Sequence, residues 1–341
     1  MKVDEFIRKI PKAELSVHIE GTLHPELLYD LAKRNRLDLP FRSLEEVYNA
    51  YDFQGLEPFL KIYYTGLKVL QTEQDFYSLT IAYLEKAAAQ NIRHTEFFFD
   101  PQAHLSRGIE LDAVVNGIRI AQQEAQKKWN ITSYMIMSFL RDLPEKSALD
   151  VLEKALPFKD WIVAIGLDST EEGNPPKKFE TVFAKAREHG FLTTAIAGEV
   201  GPPEYIRQAI DILKVSRIDH GVRCMEDPDL LTRLAATQIP INVCPVSNIE
   251  LEIYPTMRAH PLKKMYDNGL FVTINSDDPA YFGADLNENF IRAAEALKLS
   301  KVMIYEIAKN SFNASFLEST IKEKYIAELD KFYKLSSVDV S

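Results

Sequence analysis

Acidic and imidazole side chains recur along this chain directly after short apolar runs, where together they could perform acid–base chemistry or bind a divalent cation. An aspartate that follows a strand is by itself often only the N-cap of the next helix. Polar residues after seven such runs, however, favour a single shared site. These residues are His18, Glu20, Asp100, Asp168, Glu199, Asp219, His220, Ser247, Asn248, Asp277 and Asp278.

The apolar runs alternate with segments of helical spacing. Apolar residues recur at steps of three and four in segments such as 111–121 and 203–213. The alternation predicts an α/β fold, a parallel sheet closed into a single (β/α)8 TIM barrel, whose strands end at one common mouth. A doubly wound open sheet is the alternative. The eight candidate strands are 14–19, 92–99, 131–139, 161–167, 192–197, 217–220, 240–244 and 271–275.

One connection is much longer than the others. Residues 23–90 contain helical stretches, among them 56–70 and 75–88, and no candidate strand. We expect them to form a helical insertion over the C-terminal face of the barrel, where active sites form in this fold. Residues 287–335 are predicted to form closing helices, and 1–341 is predicted to be one barrel domain because no Pro- or Gly-rich linker divides it.

Composition excludes several classes of function. The chain has 341 residues and a formal net charge of -10, which argues against nucleic acid or an anionic membrane as the main partner. No run of about 18 apolar residues predicts a membrane span. The two cysteines cannot build a disulfide scaffold. The N-terminus has no signal-peptide pattern, so a cytoplasmic location is expected. With nucleic acid and membranes disfavoured by charge, the expected ligand is a small molecule.

Short motifs at the strand ends resemble those of the adenosine/adenine deaminase family, in the family's order and across nearly the whole chain. The motifs are PKAEL at 11–15, VHIEGTL at 17–23, GLDS at 166–169, AGE at 197–199, DHG at 219–221, CPVSN at 244–248 and SDDP at 276–279. Three further motifs are most similar to the adenine deaminase branch: YY at 63–64, FFDPQ at 98–102 and GPPE at 201–204. The resemblance implies an amidohydrolase-like barrel in which zinc-bound hydroxide attacks C6 of adenine and releases ammonia.

The resemblance also implies four zinc ligands, and two of those positions differ here. The first histidine of the family's His-x-His pair is Ser16, and the histidine of the fifth strand is Ile196; His18 and Asp277 match the other two. Since isoleucine has no donor atom and a neutral hydroxyl is a poor ligand, we expect no metal and no cofactor unless the site has been rebuilt. A third family histidine is replaced by Asn174.

The positions that the family uses to bind or protonate the purine are kept. The resemblance implies that Glu199 protonates a ring nitrogen, that His220 orients the attacking water, and that Gly198 and Asp278 contact the ring. We predict Glu199, His220 and Asp277 as catalytic residues. The predicted substrate-binding set is Gly198, Asp278, Asp168, His18, Ile196, Ser16, Asn174 and His104.

Without a divalent cation, these carboxylates would repel one another, and at least one should have a raised pKa. The first hypothesis is therefore a metal-independent acid–base enzyme acting on an adenine-like or other flat nitrogenous molecule. The second is an adenine deaminase with an altered or weak metal site that uses His18 and Asp277. The third is a purine-binding protein without activity, and both natural divergence and engineering are compatible with the pattern. The sequence leaves the oligomeric state open.

Overall fold

The computed structural model describes residues 1–53 and 55–338, and its eight strands form one parallel sheet in the order β1 to β8. The strands are β1 (Lys12–Glu14), β2 (Ile92–Phe99), β3 (Thr132–Leu140), β4 (Ile162–Asp168), β5 (Leu192–Ala197), β6 (Arg217–His220), β7 (Ile241–Val243) and β8 (Val272–Ile274). Single parallel bridges from Val17 to Asp277 and from His18 to Phe98 continue the first strand toward the mouth. The backbone N–H groups of His18 and Asp277 donate to Asp277 and Ser16, at 2.9 and 3.0 Å, and so bring the first and last strands together. The predicted α/β barrel is confirmed.

Helices cover the outside of the sheet and the segment between the first two strands. They are α1 (Val3–Lys9), α2 (Pro25–Arg34), α3 (Leu44–Tyr51), α4 (Leu56–Leu67), α5 (Glu73–Ala89), α6 (Pro101–Leu105), α7 (Leu111–Trp129), α8 (Glu145–Ala155), α9 (Glu180–Glu188), α10 (Pro203–Gln208), α11 (Pro228–Thr237), α12 (Pro245–Glu250), α13 (Leu262–Asp267), α14 (Leu286–Leu297), α15 (Lys301–Ala314) and α16 (Ser319–Val338). Across the described residues, none of these helices has both the length and the apolar character needed to traverse a lipid bilayer.

The packing of α5 against α7 shows how the local sequence sets these elements. Helix α5 begins with a capping box, in which Thr72 accepts from the Asp75 N–H and the Asp75 carboxylate accepts from the Thr72 N–H. Gly117 lies at the crossing, and a Cβ atom there would be 2.3 Å from the carbonyl oxygen of Glu73. Glycine is therefore what lets the two backbones come this close.

Three local predictions were wrong in their bounds. The strand predicted over 14–19 is a ladder only at Lys12–Glu14, because beyond it the chain pairs through single bridges. The helix predicted over 56–70 ends at Leu67. Beyond it, backbone N–H groups donate to the carbonyl three residues earlier, in place of the carbonyl four residues earlier as in an α-helix. The helix predicted over 203–213 widens into a π-helical turn at Ala209–Leu213.

A buried ion pair lies in the lower part of the barrel. The Arg217 guanidinium donates to Glu96 Oε2 at 2.6 Å, and His94 Nε2 is 3.0 Å from Glu96 Oε1. All three side chains are completely buried. The other ring nitrogen of His94, Nδ1, lies 2.9 Å from the Thr132 hydroxyl of β3, so the imidazole joins the two strands.

We predict that Arg217→Met lowers the free energy of unfolding by about 3–5 kcal/mol, because it leaves the Glu96 carboxylate buried without its countercharge. Urea denaturation measures the change. Adding Glu96→Gln should recover part of the loss. The control is Arg233→Met, which removes a surface pair with Asp211 and should cost less than about 1 kcal/mol. Equal losses in the two single variants would contradict this role of Arg217.

Candidate active site

A cavity of about 570 Å³ opens at the C-terminal ends of the strands. Strand ends supply its floor, and Phe59, Tyr63 and Tyr64 of α4 form part of its wall. The floor residues are His18, Asp100, Asp168, Ile196, Glu199, His220, Asp277 and Asp278. The arrangement follows from the fold, because parallel strands of a barrel end at one mouth.

His18 lies between two carboxylates. Its Nδ1 is 3.7 Å from Asp168 Oδ2, and its Nε2 is 3.6 Å from Asp277 Oδ1. The ring also lies 5.0 Å from that of Phe98, centroid to centroid. Asp277 is held on its other oxygen, because the Ser247 hydroxyl donates to Oδ2 at 2.6 Å. The imidazole can thus exchange a proton with a carboxylate on either side.

Glu199 and His220 form the second pair. Glu199 Oε1 is 3.1 Å from His220 Nδ1, and His220 Nε2 is 3.8 Å from Asp277 Oδ2. His220 and Asp277 both have left-handed backbones, with φ of 64° and 65°. For a residue with a Cβ atom this conformation costs about 1–3 kcal/mol and persists only where the surroundings enforce it. The barrel therefore holds both side chains in fixed directions.

The protonation of this pair is set by burial and charge. Burial raises the pKa of Glu199 to about 7, although His220 opposes the shift. Burial alone would lower the pKa of His220, but the Glu199 and Asp277 carboxylates raise it above its ordinary value. With both pKa values raised, the pair can hold a proton between the carboxylate and the imidazole, which would let it supply an acid and a base.

Three further carboxyl groups of the floor are also perturbed. Burial, with repulsion from neighbouring carboxylates, raises the pKa of Asp100 and of Asp278 well above the ordinary range. Burial also raises the pKa of Asp168, against the opposing effect of His18. The expectation that crowded carboxyl groups here have raised pKa values agrees with this geometry.

Glu171 is a residue that the sequence reasoning missed. Its carboxylate accepts from four consecutive backbone N–H groups, those of 198 to 201, at 2.7–2.9 Å. Arg141 Nη1 lies 3.9 Å from Glu171 Oε1 and donates to the carbonyl of Ile196 at 2.7 Å. Glu171 thereby fixes the loop that carries Glu199. The available signal was an acidic residue three positions after Asp168 that had been given no role.

Four predicted substrate-binding residues lie outside the residues that line the cavity. His104 is fully buried, with Nε2 2.8 Å from Glu20 Oε1, and Asn174 bonds to backbone oxygens of its own loop. Ser16 is buried beside Cys244, and Gly198 belongs to the loop held by Glu171. His18, Asp168, Ile196 and Asp278 do line the cavity, together with the predicted catalytic residues Glu199, His220 and Asp277.

Comparison with known proteins gives this barrel a family. Residues 11–332 match the family model described as adenosine deaminase. The chain belongs to the adenosine deaminase family. This family member is 51% identical to an adenine deaminase of Hahella chejuensis over 330 residues, which is 97% of this chain and 99% of that protein. The predicted family is confirmed, and the chain is adenine deaminase-like in sequence throughout.

Two solved structures are similar to this family member. One is an adenine deaminase from Arthrobacter aurescens, with a TM-score of 0.93, 46% identity and coverage of 95% of this chain and 99% of that one. The other is an amidohydrolase from Burkholderia ambifaria with bound zinc, with a TM-score of 0.91, 26% identity and coverage of 99% and 96%. One of these relatives contains zinc. Whether zinc also binds to this chain depends on the donor atoms that the chain itself presents.

We predict that Glu171→Gln loosens the loop at 198–201, because an amide nitrogen would face N–H donors that now meet a carboxylate. Hydrogen–deuterium exchange at these four amides should become at least about tenfold faster, since each lost charge-assisted bond contributes more than about 1 kcal/mol. Glu172→Gln, at the exposed neighbouring position, is the matched control and should leave the exchange unchanged. Unchanged protection in Glu171→Gln would contradict the assignment.

Proposed function

We propose that the protein is a metal-independent acid–base enzyme that acts on an adenine-like or other flat nitrogenous small molecule. The observation that carries the proposal is the Glu199–His220 pair, with 3.1 Å between carboxylate and imidazole at the floor of the cavity. Its membership of a hydrolase family whose relatives include adenine deaminases supports the same substrate type. We further propose that residues 1–341 act as one barrel domain around this site.

The donor atoms at the family's four metal positions do not fit a tetrahedral catalytic zinc. Those positions present one imidazole from His18, one carboxylate from Asp277, the hydroxyl of Ser16 and the hydrocarbon of Ile196. Catalytic zinc sites use three or four nitrogen, sulfur or carboxylate ligands. Ile196 lines the cavity and offers no electron pair, so it lowers the polarity of the cavity lining instead.

The chain's own residues can divide the proton transfers. In its protonated form Glu199 would donate to a ring nitrogen of the substrate and make the adjacent carbon electrophilic. His220 and Asp277, with Nε2 and Oδ2 3.8 Å apart, would hold a water molecule and remove its proton. The apolar wall of α4 would exclude bulk solvent and strengthen both interactions. Water activation suits hydrolysis, in which the proton taken from water passes to the departing group. Without a bound water molecule, the same acid and base suit elimination or isomerisation of a substrate that needs no Lewis acid.

A second candidate function is adenine deamination on a rebuilt metal centre. His220, Cys244 and Asp277 are all buried and bring one ligand atom each within 4.8 Å of one another. Burial raises the pKa of Cys244 well above the ordinary thiol range, so a metal would have to bind in exchange for that proton. Such a metal would supply Lewis-acid activation of water.

We predict that Glu199→Gln reduces turnover at least about 100-fold, the usual contribution of a general acid or base. The substrate should be sought in a panel of adenine, other 6-substituted purines and aminopyrimidines. The wild-type rate should peak near neutral pH. At lower pH both groups carry protons and no base remains, whereas at higher pH neither can act as the acid.

The control for this variant is Glu252→Gln, which changes an exposed carboxylate at the rim of the same cavity. It should keep the wild-type rate and pH profile. Wild-type turnover in Glu199→Gln, or a flat pH profile in the wild-type protein, would contradict the proposal.

Elemental analysis separates the two candidate functions. Protein purified with zinc present and without chelator should contain far less than one zinc per chain, because two of the family's donor positions lack a strong ligand. About one zinc per chain, lost in Cys244→Ser, would instead establish the rebuilt centre and make adenine deamination the function.

A further inference from the structure

The inner half of the cavity concentrates acidic groups without matching cations. Among the described lining residues there are nine carboxyl groups and a single guanidinium, that of Arg223. Arg223 is already occupied, because it donates to both oxygens of Glu226 at 2.8 Å. Glu171 is satisfied by backbone N–H groups. The remaining acidic groups lie deeper, around His18, where protons or a bound cation must offset their charge.

Within the part of the chain that the structure describes, three aspartates at this depth have carboxyl oxygens without a donor at hydrogen-bond distance, although Asp168 is near enough to Asp100 and Ser138 to interact with both. They are both oxygens of Asp168, Oδ1 of Asp100 and Oδ1 of Asp278. These residues are only 3%, 5% and 7% exposed. A buried acceptor without a donor is costly, so such groups normally have a role. Because all three line the cavity, a ligand in the cavity can supply the missing donors.

Two of these aspartates lie close to His18 and to each other. His18, Asp100 and Asp168 bring one ligand atom each within 4.8 Å of one another. Asp278 packs against the turn at Gly21, so closely that a Cβ atom on Gly21 would lie 2.0 Å from Asp278 Oδ1. Asp278 is thus closely packed into the floor at this turn.

The apolar part of the cavity lining favours a flat ligand. It contains Phe59, Tyr63 and Tyr64 of α4, with Leu140 and Ile196 from the strand ends. Aromatic faces attract organic cations as well as flat rings. A hydrated metal ion would leave these apolar surfaces in water, whereas a ring that carries N–H donors would cover them and satisfy the carboxyl oxygens together.

We propose that the cavity selects a positively charged planar ligand, a protonated aminoheterocycle or an amidinium, whose N–H groups donate to Asp100 and Asp168. This inference rests on the proposed function and deepens it: of the flat nitrogenous molecules proposed as substrates, the cavity selects those that bind as cations. It concerns recognition, whereas the Glu199–His220 pair concerns the proton transfers.

The test uses two probes of the same shape. 4-Aminopyridine is a planar cation at neutral pH, and aniline has the same outline but is neutral and lacks the ring N–H. Isothermal titration of the full chain should show 4-aminopyridine binding at least about tenfold more tightly than aniline, as expected for charge-assisted hydrogen bonds. Asp168→Asn and Asp100→Asn should each remove most of that preference, while Glu252→Gln should keep it.

Each outcome bears on the inference, provided that circular dichroism and thermal melting show each variant to be folded. Equal binding of the two probes, or binding of neither, overturns it. Binding of Mn²⁺ alone that is lost in Asp168→Asn, without cation preference between the probes, also overturns it and makes the group a metal site. A preference for the cation in a protein whose turnover survives Glu199→Gln would support the inference while rejecting the proposed acid–base mechanism.

Discussion

The pairing of the first strand segment with the segment after the last one is the interaction on which the site depends. Two backbone hydrogen bonds, between Asp277 and the residues Ser16 and His18, close the barrel at its mouth. They place the His18 imidazole beside the Asp277 carboxylate and fix the left-handed backbone at Asp277. The same hydrogen bonds therefore close the barrel and position the candidate active site, so a substitution that weakens this closure should also displace His18 and Asp277.

Closure also forces carboxyl groups together in a region of low polarity. Ionised carboxylates at this spacing would repel one another strongly, and burial raises the cost. Burial and mutual repulsion accordingly raise the pKa values of Asp100, Asp168 and Asp278, and Glu199 lies 3.1 Å from the His220 imidazole, with which it can share a proton. In the function that we propose, protons and a bound ligand offset the charge that a metal ion would otherwise neutralise. Mobile protons at the floor of a cavity are what acid–base chemistry requires.

The eight strands and their polar ends could be predicted because each signal lies within a few consecutive residues. The alternation of apolar runs with helical spacing located β2, β5 and β6 correctly at both ends. The role of Glu171 could not be predicted in this way, because its partners at 198–201 come from the next strand loop. The prediction of His104 as a substrate-binding residue met a related limit: its burial against Glu20, 84 residues earlier in the chain, is not visible in the local sequence.

The central claim is that protons, and not a metal, organise the floor of this cavity. Neutron diffraction from crystals grown at neutral pH with zinc in the medium tests it directly, because deuterons and metal are both visible. We expect one deuteron between Glu199 and His220 Nδ1, a deuteron on the Asp100 or Asp278 carboxyl group, and no metal within reach of His18, His220 or Asp277. A metal bound to these residues, with Glu199 and the aspartates all ionised, would contradict the account.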